Sequence, residues 1–134
     1  MKGKLFPEAF GIRDNVIKDK FLKERLNEAR RAISECGEIK SLPYSDFSLY
    51  YTTGSRGEYE DKYFAHRRLL NALAVAAASG DDCIKELQNI LWAIADEFTW
   101  AVPAHIPQGI SAFECTQQID LFAAETSFAL SEIL

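Results

Sequence analysis

The residues best suited to handling a ligand are gathered in Thr99-Trp100-Ala101-Val102-Pro103-Ala104-His105. Trp100 offers a flat apolar face with one N–H donor, which suits stacking on a sugar ring or plugging a helix end. His105, held between Pro103 and Pro107, can serve as a general base, a hydrogen-bond donor or a metal ligand. No second His or Cys stands at ligand spacing from it, and no nucleophile is identifiable, so a hydrolase built on His105 is disfavoured. Arg56, with Gly54 and Gly57 on either side, can clamp a carboxylate or sulfate, and reads equally well as a surface arginine. Tyr50 belongs to an aromatic run with Tyr44, Phe47 and Tyr51. His66, followed by Arg67 and Arg68, reads as a surface or half-buried helix residue. Glycine-rich phosphate loops, HExxH, GxSxG and EF-hand patterns are absent, so no metal, cofactor or catalytic residue is expected. These residues spell out the wall of a site and not a catalytic centre.

Composition limits the options further. A chain of 134 residues with 48% hydrophobic and 26% charged side chains has the size and balance of one soluble globular domain. No apolar run reaches the roughly 18 residues of a membrane span, and the start lacks the apolar region of a secretory signal. With Met1 as the native start, the chain reads as cytoplasmic; otherwise its compartment is open. Cys36, Cys83 and Cys115 are odd in number and far apart, which predicts reduced, mostly buried thiols. Residues 1–68 carry 14 basic against 11 acidic side chains, whereas residues 69–134 carry one lysine against nine acids. The acidic second half would repel nucleic acid.

The elements that must position these residues are helical. Apolar stripes predict helices over about 14–36, 57–79, 82–98 and 118–134. Asp14 is the expected cap of the first and Gly37 its stop. Ser55 with Glu58 forms a capping-box pattern before the second. Gly80 ends the second, Asp81 or Asp82 caps the third, and the short turn forces an antiparallel hairpin. Ile84, Leu87, Leu91, Ile94 and Phe98 line the third helix, with Ile90 and Trp92 widening its buried face. Ile119, Phe122, Ala123, Thr126, Ala129, Leu130 and Ile133 line the fourth. Asp96 and Glu97 sit where the helix dipole disfavours them, which invites a partner such as Arg67 or Arg68. If the helices run up, down, up, down, both long connections, 38–57 and 99–118, meet at one rim. The last stripe is still running at Leu134, which reads as a chain cut from something longer.

The ordered set Leu42-Pro43-Tyr44-Ser45, Thr53-Gly54-Ser55-Arg56, Tyr59 and Tyr63 leading to Arg67-Arg68-Leu69, Glu97 to Trp100, Pro103-Ala104-His105 and Ile119-Asp120-Leu121-Phe122-Ala123-Ala124-Glu125 resembles the N-terminal helical region of heparinase II/III-like polysaccharide lyases. The resemblance spans roughly residues 38–130. It implies an all-α fold of antiparallel helical hairpins, part of an incomplete α/α toroid. It also implies a role in binding uronate-containing polysaccharide for β-elimination, with the proton-transfer residues further along the chain. By that match Trp100 and His105 line the substrate groove, with Arg56 and Tyr50 on the neighbouring loop. The expected partner is a uronate polysaccharide or oligosaccharide, with no nucleic acid and no membrane, and with self-association through uncovered helix faces. The alternative from the residues alone is a stand-alone helical module whose rim binds a protein or peptide.

Overall fold

The computed structural model describes residues 19–133. It is all-α, and among the described residues there is no strand. The helices are α1 (Lys20–Glu35), α2 (Tyr44–Thr53), α3 (Gly57–Ala78), α4 (Ile84–Ala95), α5 (Ala112–Thr116) and α6 (Leu121–Ile133), with a 3-10 turn at Pro103–His105.

Helix α3 is the spine. Its C-terminal half places Leu69, Leu70, Leu73 and Ala76 against Leu26 of α1 and Leu87, Ile90 and Ile94 of α4, forming the main core. Its N-terminal half places Tyr59 and Tyr63 in a second core with Phe47 of α2 and Ala101, Val102 and Ile106 of the later connection. Ile90 and Ile94 are wholly buried, which stabilises the fold by about 1.5–3 kcal/mol per side chain. Helix α6 lies on the same spine, with Thr126 buried and Ala129, Leu130 and Ile133 packed on the main core.

The ends of the helices depart from several expectations. Helix α1 begins after Asp19, whose backbone is extended and whose carboxylate accepts the Leu22 N–H at 3.0 Å. Asp14 and Ile17, expected within this helix, lie outside the described residues. Gly37 does not act as a left-handed stop, because the extended Cys36 closes the helix by donating to the Ala32 and Ile33 carbonyls. The segment 38–57 is not one long connection, since it contains α2, set between Pro43 and a left-handed Gly54 at φ 78°. Gly80, at φ 93°, does end α3: its N–H bonds the Ala77 carbonyl at 3.0 Å and that of Asp81 bonds Ala76 at 3.0 Å. Neither Asp81 nor Asp82 caps α4, which starts after Cys83 with no side-chain cap. Asp81 instead takes Arg30 of α1 in two bonds of 2.7 and 2.6 Å, tying α1 to the α3–α4 turn. Ser55 bonds the Glu58 carboxylate, but Arg56 occupies the cap position. A complete capping box lies at Ser111 and Glu114, at the start of α5.

Four side chains assigned to buried stripes are exposed: Ile84 at 40% and Phe98, beyond the end of α4, at 54%, with two more strongly so. Trp92 is 79% exposed and Ile119 is 85% exposed. The first lies on the face of α4 turned away from α3, and the second precedes α6. Among the described residues no helix is long and apolar enough to cross a membrane. Cys36, Cys83 and Cys115 are free thiols, with Cys83 buried and the other two half-buried.

Candidate functional site

Helix α2 itself, and not an open connection, meets the connection after α4 at one rim. The Tyr51 hydroxyl donates to the Pro103 carbonyl at 3.1 Å, and the Phe47 ring meets Phe98 edge-on at 6.0 Å. These contacts join α2 to the 3-10 turn that carries His105. The turn forms because Pro103 takes its first position with φ already fixed, and the His105 N–H closes on the Val102 carbonyl at 2.9 Å.

Asp120 fixes His105. One carboxylate oxygen lies 2.7 Å from His105 Nδ1 and accepts the Val102 N–H at 3.2 Å. The other accepts the Ala123 N–H at 2.7 Å, so the same side chain caps α6. A carboxylate only accepts, so Nδ1 carries a proton, and in the neutral ring Nε2 is the acceptor. The imidazole also lies flat on Phe122, with centroids 5.5 Å apart and planes at 6°. Its orientation is therefore fixed by a hydrogen bond on one edge and a ring on one face, while its side chain stays 38% exposed. That arrangement can accept a hydrogen bond from a ligand hydroxyl or hold a proton at Nε2.

Beneath the rim lies a buried charged group. Glu97 Oε1 accepts from Arg67 Nη1 at 2.6 Å and lies 2.8 Å from His66 Nδ1, with the Glu97 side chain only 2% exposed. His66 Nε2 lies 2.8 Å from the Lys40 carbonyl, so the ring bridges Glu97 to the segment before α2. His66 is thus buried and bonded at both nitrogens, not a surface or half-buried residue. The Arg67 guanidinium sits 3.6 Å from the Tyr63 ring centroid and donates to Thr126 of α6 at 3.2 Å. Tyr63 in turn donates to the Trp100 carbonyl at 2.7 Å. The partner expected for Glu97 is therefore Arg67, with His66 as a second. Burial holds the Tyr63 phenol above its ordinary pKa.

The residues expected at the site are not all in one place. Trp100 is half-buried against the main core, and its indole N–H donates to the Ile94 carbonyl at 2.9 Å, closing the end of α4. Trp100 also lines an open cleft between the end of α4 and α6. Arg56 is exposed and its Nε donates to Glu60 one turn on, at 2.7 Å. Tyr50 is half-buried, edge-on to Tyr51 at 5.4 Å. Asp120 and Phe122, which hold His105, are the members that residue types alone did not single out. The available signal was the aspartate directly before an apolar helical run, the mark of a capped helix start. Among the described residues, no group of three or more His, Cys, Asp and Glu side chains could hold a metal ion. No family model and no curated protein matches the chain.

Proposed function

We propose that this chain is the N-terminal helical segment of a heparinase II/III-like polysaccharide lyase. In this reading its antiparallel helix pairs belong to an incomplete α/α toroid and supply one wall of a groove for uronate-containing polysaccharide. The observation that carries it is the union of Pro103-Ala104-His105 with Asp120-Leu121-Phe122. These two pieces of the resemblance, apart in sequence, form one unit through the 2.7 Å bond from His105 to Asp120 and the stacking of His105 on Phe122. Nothing in the fold's core requires a half-exposed imidazole to be oriented so fully. The outward Trp92 and Ile119 also suit a toroid, in which neighbouring hairpins cover such faces.

β-Elimination removes the proton beside a uronate carboxylate, and needs that carboxylate neutralised and the leaving oxygen protonated. This segment supplies neither group. Its part is to position sugar, with His105 Nε2 accepting from a ring hydroxyl, while Arg56 is held by Glu60. The test is cleavage of a panel of uronate polysaccharides by the full-length protein, with the unsaturated product followed by ultraviolet absorbance. His105→Ala should raise KM about tenfold, corresponding to the loss of roughly one charge-free contact and its orientation, with kcat changed less than about twofold. Loss of kcat instead would overturn the wall role, and no product from any uronate polymer would overturn the lyase reading.

A further inference from the structure

A cavity of about 470 Å³ opens between α2 and the connection after α4. It falls within the roughly 300–1,000 Å³ of small-ligand pockets. Its walls include Phe47, Tyr51, Tyr59, Phe98, Ile110 and Cys115, and among the described residues no charged side chain lines it. His105, Asp120 and Phe122 take no part in it.

Tyr44, Tyr51 and Tyr59 line the wall and are not equivalent, Tyr44 standing 80% exposed at its mouth while Tyr63 lies outside it. The Tyr51 hydroxyl is occupied by the Pro103 carbonyl at 3.1 Å. Tyr63, one turn along α3 from Tyr59, is occupied by the Trp100 carbonyl at 2.7 Å. Tyr59 is only 4% exposed and lines the cavity, yet its hydroxyl has no hydrogen-bond partner among the described residues. Among the described residues the fully buried side-chain atoms without a partner are Arg67 Nη2 and Glu97 Oε2, so the Tyr59 oxygen is not sealed off: water reaches it, and a ligand acceptor can take that water's place. Burial, reinforced by the Glu97 carboxylate, holds this phenol protonated well above its ordinary range, so it presents a donor.

We infer that this cavity binds a small uncharged aromatic ligand that accepts a hydrogen bond from the Tyr59 hydroxyl. The rings set the shape: Phe47 meets Tyr59 edge-on at 5.6 Å and Phe98 edge-on at 6.0 Å, leaving faces and edges to pack another ring. The missing cations exclude a carboxylate, which would lose its hydration without compensation. A sugar fits poorly on the same wall, because its many hydroxyls would meet only the Tyr59 and Tyr44 hydroxyls among otherwise apolar side chains. The site is therefore distinct from the saccharide wall, and its test is independent of the lyase reading.

The probe is acetylnaphthalene, titrated against this chain by ligand-observed NMR beside ethylnaphthalene and naphthoate. The ketone should bind most tightly and naphthoate least. Tyr59→Phe should weaken the ketone about fivefold, the worth of one neutral hydrogen bond, and leave the hydrocarbon unchanged. The melting temperature of this variant should not fall, since the hydroxyl has no protein partner to lose. Ala112→Trp, at an exposed wall position, should block both ligands. A ketone that binds no better than the hydrocarbon, or that is indifferent to Tyr59→Phe, overturns the inference. So does tighter binding of naphthoate, or displacement of the ketone by a uronate oligosaccharide.

Discussion

Replacing Glu97 by glutamine should be among the most damaging single changes in this chain, although the two side chains have nearly the same shape. Glu97 is buried, and its Oε1 is shared by Arg67 Nη1 at 2.6 Å and His66 Nδ1 at 2.8 Å. The amide keeps an acceptor but removes the charge, leaving the Arg67 guanidinium buried without a counterion. Breaking one side of such a pair costs about 3–5 kcal/mol. The lower end applies here, because Arg67 retains the Tyr63 ring at 3.6 Å and the Thr126 hydroxyl at 3.2 Å. At about 4 °C per kcal/mol for a domain of this size, a loss of about 3 kcal/mol lowers the melting temperature by about 12 °C. Urea unfolding monitored by circular dichroism gives the number directly. In a double-mutant cycle with Arg67→Met, which removes the charge and keeps an apolar stem, the coupling should be about 2 kcal/mol. Single losses under about 1 kcal/mol that simply add would refute the view that this ion pair locks α3 to the end of α4.

Other changes separate the remaining contacts. Asp120→Ala removes the α6 cap and orphans the buried Val102 N–H, so it should cost about 2–3 kcal/mol in thermal unfolding. It should also broaden the His105 ring resonances. Gly80→Ala places a side chain at φ 93° and should cost about 1–2 kcal/mol by the same assay. Trp92→Gln, on an outward face, should change stability by less than about 0.5 kcal/mol while reducing any concentration-dependent sedimentation. Tyr59 and Tyr63 have phenol pKa values raised by burial. A group whose folded pKa lies above its unfolded one adds stability below the unfolded value, about pH 10, and loses it as the pH rises through the folded value. Alkaline titration should therefore show their tyrosinate absorbance appearing together with the loss of helical circular dichroism.

What could be read from the sequence was local. The Gly80 turn and the body of α3 follow from a glycine after an apolar run and from periodicity over many residues. Helix α2 was not legible, because Tyr44–Thr53 is rich in aromatic, serine and threonine residues of modest helix propensity. It is held by Phe47 in the second core and by Tyr51 on the 3-10 turn. Trp92 lies within α4 and Trp100 in the connection after it, and packing alone decides that one faces outward and the other plugs the helix end. Arg67 was expected to find an acid such as Glu97, but the burial of His66 on that carboxylate depends on where residue 40 passes, which no spacing reveals. The His105 to Asp120 bond spans 15 positions and required the α6 cap to be recognised first.

The most direct test of the proposed function is to map uronate oligosaccharide binding on this chain by amide NMR shifts. A saccharide wall predicts shifts confined to residues 99–106 and 120–122, all abolished or weakened by His105→Ala. No shift at millimolar oligosaccharide, or shifts on the outward faces of α4 and α6 that His105→Ala leaves intact, would contradict it.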